Sequence, residues 1–157
     1  MYCFIIFATD MDAAIERVKK HLPEDLVKPI EKRPFISNFN REPTNAGIVV
    51  IPWKDKTEPE LDLFQSAVDG RISYYDSWTY DMGRVICYGE EEALFNPLFQ
   101  LNNFVPPHIY DSKQFPVKGD MIIGKEGGAG ETFPFEYSEI TEVLRPVMSV
   151  SFAPTKK

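Results

Sequence analysis

Few side chains in this 157-residue chain have the types and spacing that chemistry needs. There are two histidines, His21 and His108, and two cysteines, Cys3 and Cys87. A zinc centre needs three or four nitrogen, sulfur or carboxylate ligands gathered at one point. Two histidines and two cysteines inside separate apolar runs do not supply them, and no metal or other cofactor is expected. Cys3 lies in Tyr2-Cys3-Phe4-Ile5-Ile6, and Cys87 in Val85-Ile86-Cys87-Tyr88. A reactive thiolate needs cationic neighbours. Neither cysteine has one in sequence, so both read as small core hydrophobes. His108 follows Pro106-Pro107 and precedes Tyr110 and Asp111. It could act as a general base at neutral pH, although a lone histidine beside prolines is more commonly a packing residue. Glu90-Glu91-Glu92 would point in three directions from a helix, so they make no acid–base pair; they suit the positive end of a helix dipole. The glycine-rich turn over residues 124–130 lacks the Gly-Lys-Ser/Thr ending of a phosphate loop, and Glu126 and Glu131 flank it.

Asp10-Met11-Asp12 follows an apolar run directly. This resembles the opening of the haloacid-dehalogenase phosphatase motif, in which a nucleophilic and an acidic Asp follow a buried strand. The likeness covers about ten residues and stops at Ala13-Ala14, where that family carries Gly-Thr. The same residues also read as a helix start.

The most unusual stretch is Tyr74-Tyr75-Asp76-Ser77-Trp78-Thr79-Tyr80-Asp81-Met82-Gly83. Tyr and Trp provide large, stiff contact area at low entropic cost and are enriched at interface hot spots. Strand alternation would put Tyr74, Asp76, Trp78 and Tyr80 on one face, and Tyr75, Ser77, Thr79 and Asp81 on the other. The candidate partner-binding residues are therefore Tyr74, Tyr75, Asp76, Trp78, Tyr80 and Asp81. The competing reading is that these rings pack in the core. No residue is put forward as catalytic.

Charge singles out the same region. The net charge is −7. Residues 55–92 hold ten acids and three bases, whereas residues 1–54 hold seven and eight, and residues 93–157 seven and six. A concentrated negative field favours cationic partners. Direct nucleic-acid binding is not expected at a pI near 4.9, because phosphate contact needs a basic footprint. Arg17, Lys19, Lys20, Lys28, Lys32 and Arg33 form a basic group, but Glu16, Glu24, Asp25 and Glu31 dilute it.

The elements that must position these residues are legible in part. Residues 2–8 read as a central strand buried on both faces. Thr9 caps a helix whose stripe is Met11, Ile15, Val18 and Leu22, with a Glu16–Lys20 pair on its surface. Pro23, Pro29, Pro34 and Pro43 break up the next segment, with a short strand at Phe35–Phe39. Ala46 to Trp53 is a strand that ends near Pro52. Thr57 and Glu60 form a capping box for a helix with Leu61, Phe64 and Val68 inward and Gly70 as its stop. Arg71–Tyr75 and Gly83–Tyr88 read as two strands joined by the aromatic stretch. The three glutamates open a third helix. A strand at Asp120–Gly124, a helix from Tyr137 to Arg145 and a last strand over Val147–Phe152 complete the pattern.

The expected fold is a single α+β domain over residues 1–157, with a mixed, mostly antiparallel sheet of about five to six strands and three to four helices against it. Residues 154–157 read as a frayed tail. No basic leader precedes the apolar run at residues 2–8, and no run is long enough to span a membrane, so the expectation is cytoplasmic. The functional expectation is a non-catalytic protein-binding module: an acidic inhibitor or immunity-type protein that neutralises a basic partner through the aromatic and acidic hairpin. One alternative is a small enzyme or small-molecule binder, with a pocket lined by the same aromatics and by Asp76, Asp81, His108 or Asp111. Another is a self-associating subunit or scaffold module.

Overall fold

A computed structural model describes residues 1–34, 45–99, 102, 104–105 and 118–149. The main strands are β1 (Tyr2–Ala8), β2 (Glu31–Pro34), β3 (Gly47–Trp53), β4 (Ile72–Tyr80) and β5 (Gly83–Glu90). Shorter ones follow: β6 (Phe104–Val105), β7 (Met121–Glu126), β8 (Thr132–Phe133), β9 (Phe135–Glu136) and β10 (Met148–Ser149). The helices are α1 (Met11–Val18), α2 (Glu24–Val27), α3 (Leu61–Val68) and α4 (Ile140–Leu144).

The sheet runs β2-β3-β1-β7-β5-β4, with β8 on β7 and β9 on β1. Every pairing is antiparallel, and β6 pairs with β10 separately. This is an α+β fold with its sheet wholly antiparallel among the described residues. Period-two alternation divides β1 between two cores. Cys3, Ile5 and Phe7 join Val50, Val85, Cys87 and Ile123 on one face. Phe4, Ile6 and Ala8 join Val49, Ile51 and Ile122 on the other, under α1 and α3. The first face is closed by Phe135 and by Ile140 and Val143 of α4. Both cysteines are fully buried. Burial pushes the Cys3 thiol up to about 12 and raises Cys87 well above its ordinary value.

Local chemistry departs from the sequence reading at several boundaries. Asp10, not Thr9, caps α1: its carboxylate accepts from the N–H of Asp12 and Ala13 at 3.1 and 3.2 Å. Thr9 is drawn instead to Asp120. Glu16 pairs with Lys19 at 2.8 Å rather than with Lys20. Pro52 lies inside β3, past the last residue paired with β2, so its missing N–H breaks no bond to that neighbour. Glu60 precedes α3 without a side-chain cap, and Thr57 bonds Asp55 instead. Asp69, not Gly70, is the left-handed stop of α3, with φ 63°. The N–H of Gly70 then reaches back to Gln65 O at 3.0 Å, closing a Schellman turn.

The three glutamates do not open a helix. Glu90 ends β5, and only a short 3-10 turn, Ala93–Phe95, follows. The C-terminal helix begins as a 3-10 turn at Tyr137 and is secured by a Glu136–Glu139 capping box. Of the expected last strand, Met148–Ser149 form β10. The expected strand at Phe35–Phe39, residues 150–152 and the tail fall outside the described residues.

One ionic group ties these layers together. Asp120, 5% exposed, accepts from the Thr9 N–H at 2.8 Å, from Thr9 Oγ1 at 2.9 Å and from Arg17 Nη2 at 2.6 Å. Arg17 also donates to the carbonyls of Ser66 and Ala67 at 2.8 and 3.1 Å, satisfying the open end of α3. Removing one partner of a buried pair strands the other charge, at a cost of about 3 kcal/mol or more. Arg17→Met is expected to lower unfolding free energy by about 3 kcal/mol in urea titration. A loss under about 1 kcal/mol, the worth of a surface pair, would show that the link is not structural.

Candidate functional site

The aromatic stretch is itself a strand. β4 runs through Tyr80, and Asp81-Met82 alone turn the chain into β5. Gly83, with φ 151°, faces Tyr80 across that turn. Alternation is interrupted: Tyr74 faces Tyr88, but Asp76 faces Cys87, so Tyr75 is an inserted bulge residue. Tyr74 therefore stands on the α1/α3 face with Tyr88. Tyr75, Asp76, Trp78 and Tyr80 stand on the α4 face. The Tyr75 ring lies over Gly89, where no side chain would fit.

The α4-side residues are mainly interior. Trp78 is 4% exposed, and its indole N–H donates to Val143 O at 3.1 Å. That carbonyl belongs to the last turn of α4, which has no helical donor for it. Asp76 is 3% exposed and accepts from the Ser77 N–H at 2.8 Å. The half-buried Tyr80 donates its hydroxyl proton to Glu139 Oε1 at 2.5 Å and packs edge-on against Phe135. Lys125 Nζ reaches the same oxygen at 3.3 Å, and the Glu136 N–H donates to Oε2 at 2.8 Å. Burial alone would raise Glu139, but the bonds from Tyr80, Glu136 and Lys125 hold it below the usual glutamate range. Burial and the bond to Glu139 both raise the Tyr80 phenol, and burial raises Tyr75. This arrangement stores a fixed negative charge and locks α4 to β4.

On the other face, Tyr74 is 58% exposed. Its hydroxyl lies 3.1 Å from Ser77 Oγ, which also accepts from Arg84 Nη2 at 2.6 Å. Asp81 is exposed at the tip. Tyr74 and Asp81 lie seven positions apart along the hairpin, roughly 23 Å at ~3.3 Å per residue. The six candidate residues thus do not form one surface: two are exposed and far apart, two are buried and two are half-buried. His108, Tyr110 and Asp111 lie outside the described residues.

Exposed acids gather in two places, the base of the hairpin and the start of α3. Asp69 and Glu92 are exposed, Glu90 packs against Gly70, and Glu91 pairs loosely with Arg71 at 3.6 Å while its N–H bonds Arg71 O. Asp55, Glu58, Glu60 and Asp62 are exposed around the start of α3. The basic group is mostly neutralised: Arg17, Lys19, Lys32 and Arg33 each pair with an acid.

A second feature has no counterpart in the sequence reading. Two hollows of about 520 and 480 Å³ adjoin along the helical face. Both are lined by Lys20, His21 and Asp62. His21 Nε2 lies 2.7 Å from Ser66 Oγ. These residues are 45 positions apart, so no spacing motif could have joined them. Among the described residues, no group of three or more His, Cys, Asp or Glu side chains is arranged to hold a metal ion. No helix there is long and apolar enough to cross a membrane.

Comparison with protein-family models, with curated proteins and with solved structures finds no match.

Two measurements check this geometry. Trp78→Ala is expected to cost about 3–5 kcal/mol, as truncation of a buried aromatic does, whereas Tyr74→Ala should cost under about 1 kcal/mol. Equal costs would contradict the faces assigned. Glu139 titrates lower folded than unfolded, so the unfolded chain binds more protons between the two values. Its stabilisation is present above the ordinary glutamate value, about 4.3, and is lost as pH falls through the folded value. The stability gap between wild type and Glu139→Gln should therefore narrow between about pH 7 and about pH 3; a constant gap would remove the charge from the explanation.

Proposed function

We propose that the protein binds and neutralises a partner with a basic surface, as an acidic inhibitor or immunity-type protein does. The supporting observation is the exposed acidic cluster at the base of the β4–β5 hairpin, with Tyr74 beside it as an aromatic anchor. Asp69, Glu91 and Glu92 are exposed at that base, and Asp55, Glu58, Glu60 and Asp62 add exposed charge around the start of α3. Complementary charge speeds encounter and selects the partner, while an aromatic side chain that becomes desolvated holds the complex. In this reading Trp78, Tyr80 and Asp76 support the surface from behind and do not touch the partner. Trp78 and Tyr80 hold the hairpin to the C-terminal helix.

The division of roles has a direct test in capture from the native host. The expected partner is stoichiometric and basic, and its association slows as salt rises. The triple variant Tyr74→Ser, Glu91→Lys, Glu92→Lys should fold normally, because all three residues are exposed. Its association should be at least about tenfold slower at low salt. Capture at the wild-type rate by the folded variant would rule out this surface.

A further inference from the structure

We propose that Ser66 is an activated hydroxyl with His21 as its base, and that the groove between α1 and α3 accepts acyl groups from small carboxylic esters. This goes beyond the partner-binding reading and does not rest on it. The pair is defined by the 2.7 Å approach of His21 Nε2 to Ser66 Oγ. Serine within a helix commonly bonds back to the carbonyl one turn earlier; here the hydroxyl meets an imidazole across the groove. A nucleophile and base within hydrogen-bond reach is the geometry that covalent catalysis requires.

The pair is held from both sides. Arg17 Nε grips the Ser66 carbonyl at 2.8 Å and is anchored in turn on buried Asp120. His21 ends a 3-10 turn closed by Leu22 N–H on Lys19 O at 3.1 Å, with Pro23 next. Asp62, four residues before Ser66 on the same helix face, lines both hollows alongside His21. Both hollows mix polar and apolar side chains, and Ser66 lines the smaller one. The larger one meets the pair at His21, and Leu22, Trp53 and Leu63 give it an apolar part for a short acyl chain among Lys54, Glu58 and Glu60. Gln65, Lys20 and Arg71 line the other, supplying donors for an oxyanion or an anionic leaving group.

In the reaction the Ser66 proton passes to His21 Nε2 as Oγ bonds to the ester carbonyl carbon. The carbon–oxygen bond to the leaving alcohol then breaks, and His21 returns the proton to that oxygen. Water, deprotonated by the same imidazole, attacks the acyl-serine, releases the carboxylic acid and restores the hydroxyl. No redox partner or metal is needed for this balance.

A fluorophosphonate probe tests it on the whole chain. The Ser66 oxygen would displace fluoride from phosphorus, with the proton leaving through His21. Peptide mass mapping is expected to place the label on Ser66, with none at that peptide in Ser66→Ala. Labelling should be about 10²-fold slower in His21→Gln, the span of general-base assistance. p-Nitrophenyl butyrate should release a burst of one equivalent of nitrophenol. If wild-type Ser66 is labelled no faster than exposed Ser138, the proposal is wrong. An unchanged rate in a folded His21→Gln variant overturns it equally. Should that variant not fold, the wild-type ratio of Ser66 to Ser138 labelling decides alone.

Discussion

A seven-residue strand with no charged side chain, buried to both sides, is the constraint from which this architecture follows. Tyr2–Ala8 cannot face water on either surface, because alternate residues point to opposite sides and nearly all are apolar. It therefore needs neighbours at both edges and a cover on each face. β3 and β7 supply the edges. The helical cover is α1 and α3; the other is assembled from β9 and α4 at the far end of the chain. Phe4 shows how closely the first cover fits, with Phe64 of α3 edge-on at 5.5 Å and Trp53 at 6.0 Å.

Closing both faces forces polar groups inside, and the fold answers with two charged junctions. On the helical side Arg17 and Asp120 bind the β1–α1 turn, the end of α3 and the start of β7 into one unit. On the other side Glu139 gathers Tyr80, Lys125 and the backbone of Glu136. Asp120 and Glu139 each have several donors, as burial in a low-dielectric interior demands. Contacts reach across 111 positions in the first junction and 59 in the second, so both are fastenings between layers. The edges are handled differently from the faces. Outer strand β2 is four residues long and exposes Lys32, Arg33 and Pro34, a composition that discourages pairing with another chain.

The bulge at Tyr75 links fold to surface. Without it, Tyr74 would share a face with Trp78 and be drawn toward α4. One inserted residue sends Tyr74 to the opposite side, next to the acidic base of the hairpin, while Trp78 and Tyr80 remain inside. The recognition surface we propose is in this sense a by-product of register. The helical groove is a by-product of packing: α1 and α3 lie side by side on the sheet and leave His21 facing Ser66.

The sequence by itself determined the strong elements: β1, β3, α1, α3, the hairpin partners and the burial of both cysteines. These rest on local period and apolar content, which act over a few residues. It also located the charge, because composition needs no coordinates. Boundaries were less legible. Thr9 and Asp10 are both good caps, and only the position of Asp120 decides that Thr9 is used elsewhere. The Glu136–Glu139 capping box lacks the Ser or Thr that marks one in sequence, and its burial depends on Tyr80 and Lys125 arriving from other strands. For the candidate surface, residue types could be read but not their faces, since a one-residue bulge inverts the alternation and has no fixed sequence mark. Tertiary structure alone decided that Trp78 caps α4, that Tyr74 is exposed, and that His21 meets Ser66. Each depends on chain segments brought together by burial of a shared core, and no local preference encodes that distance.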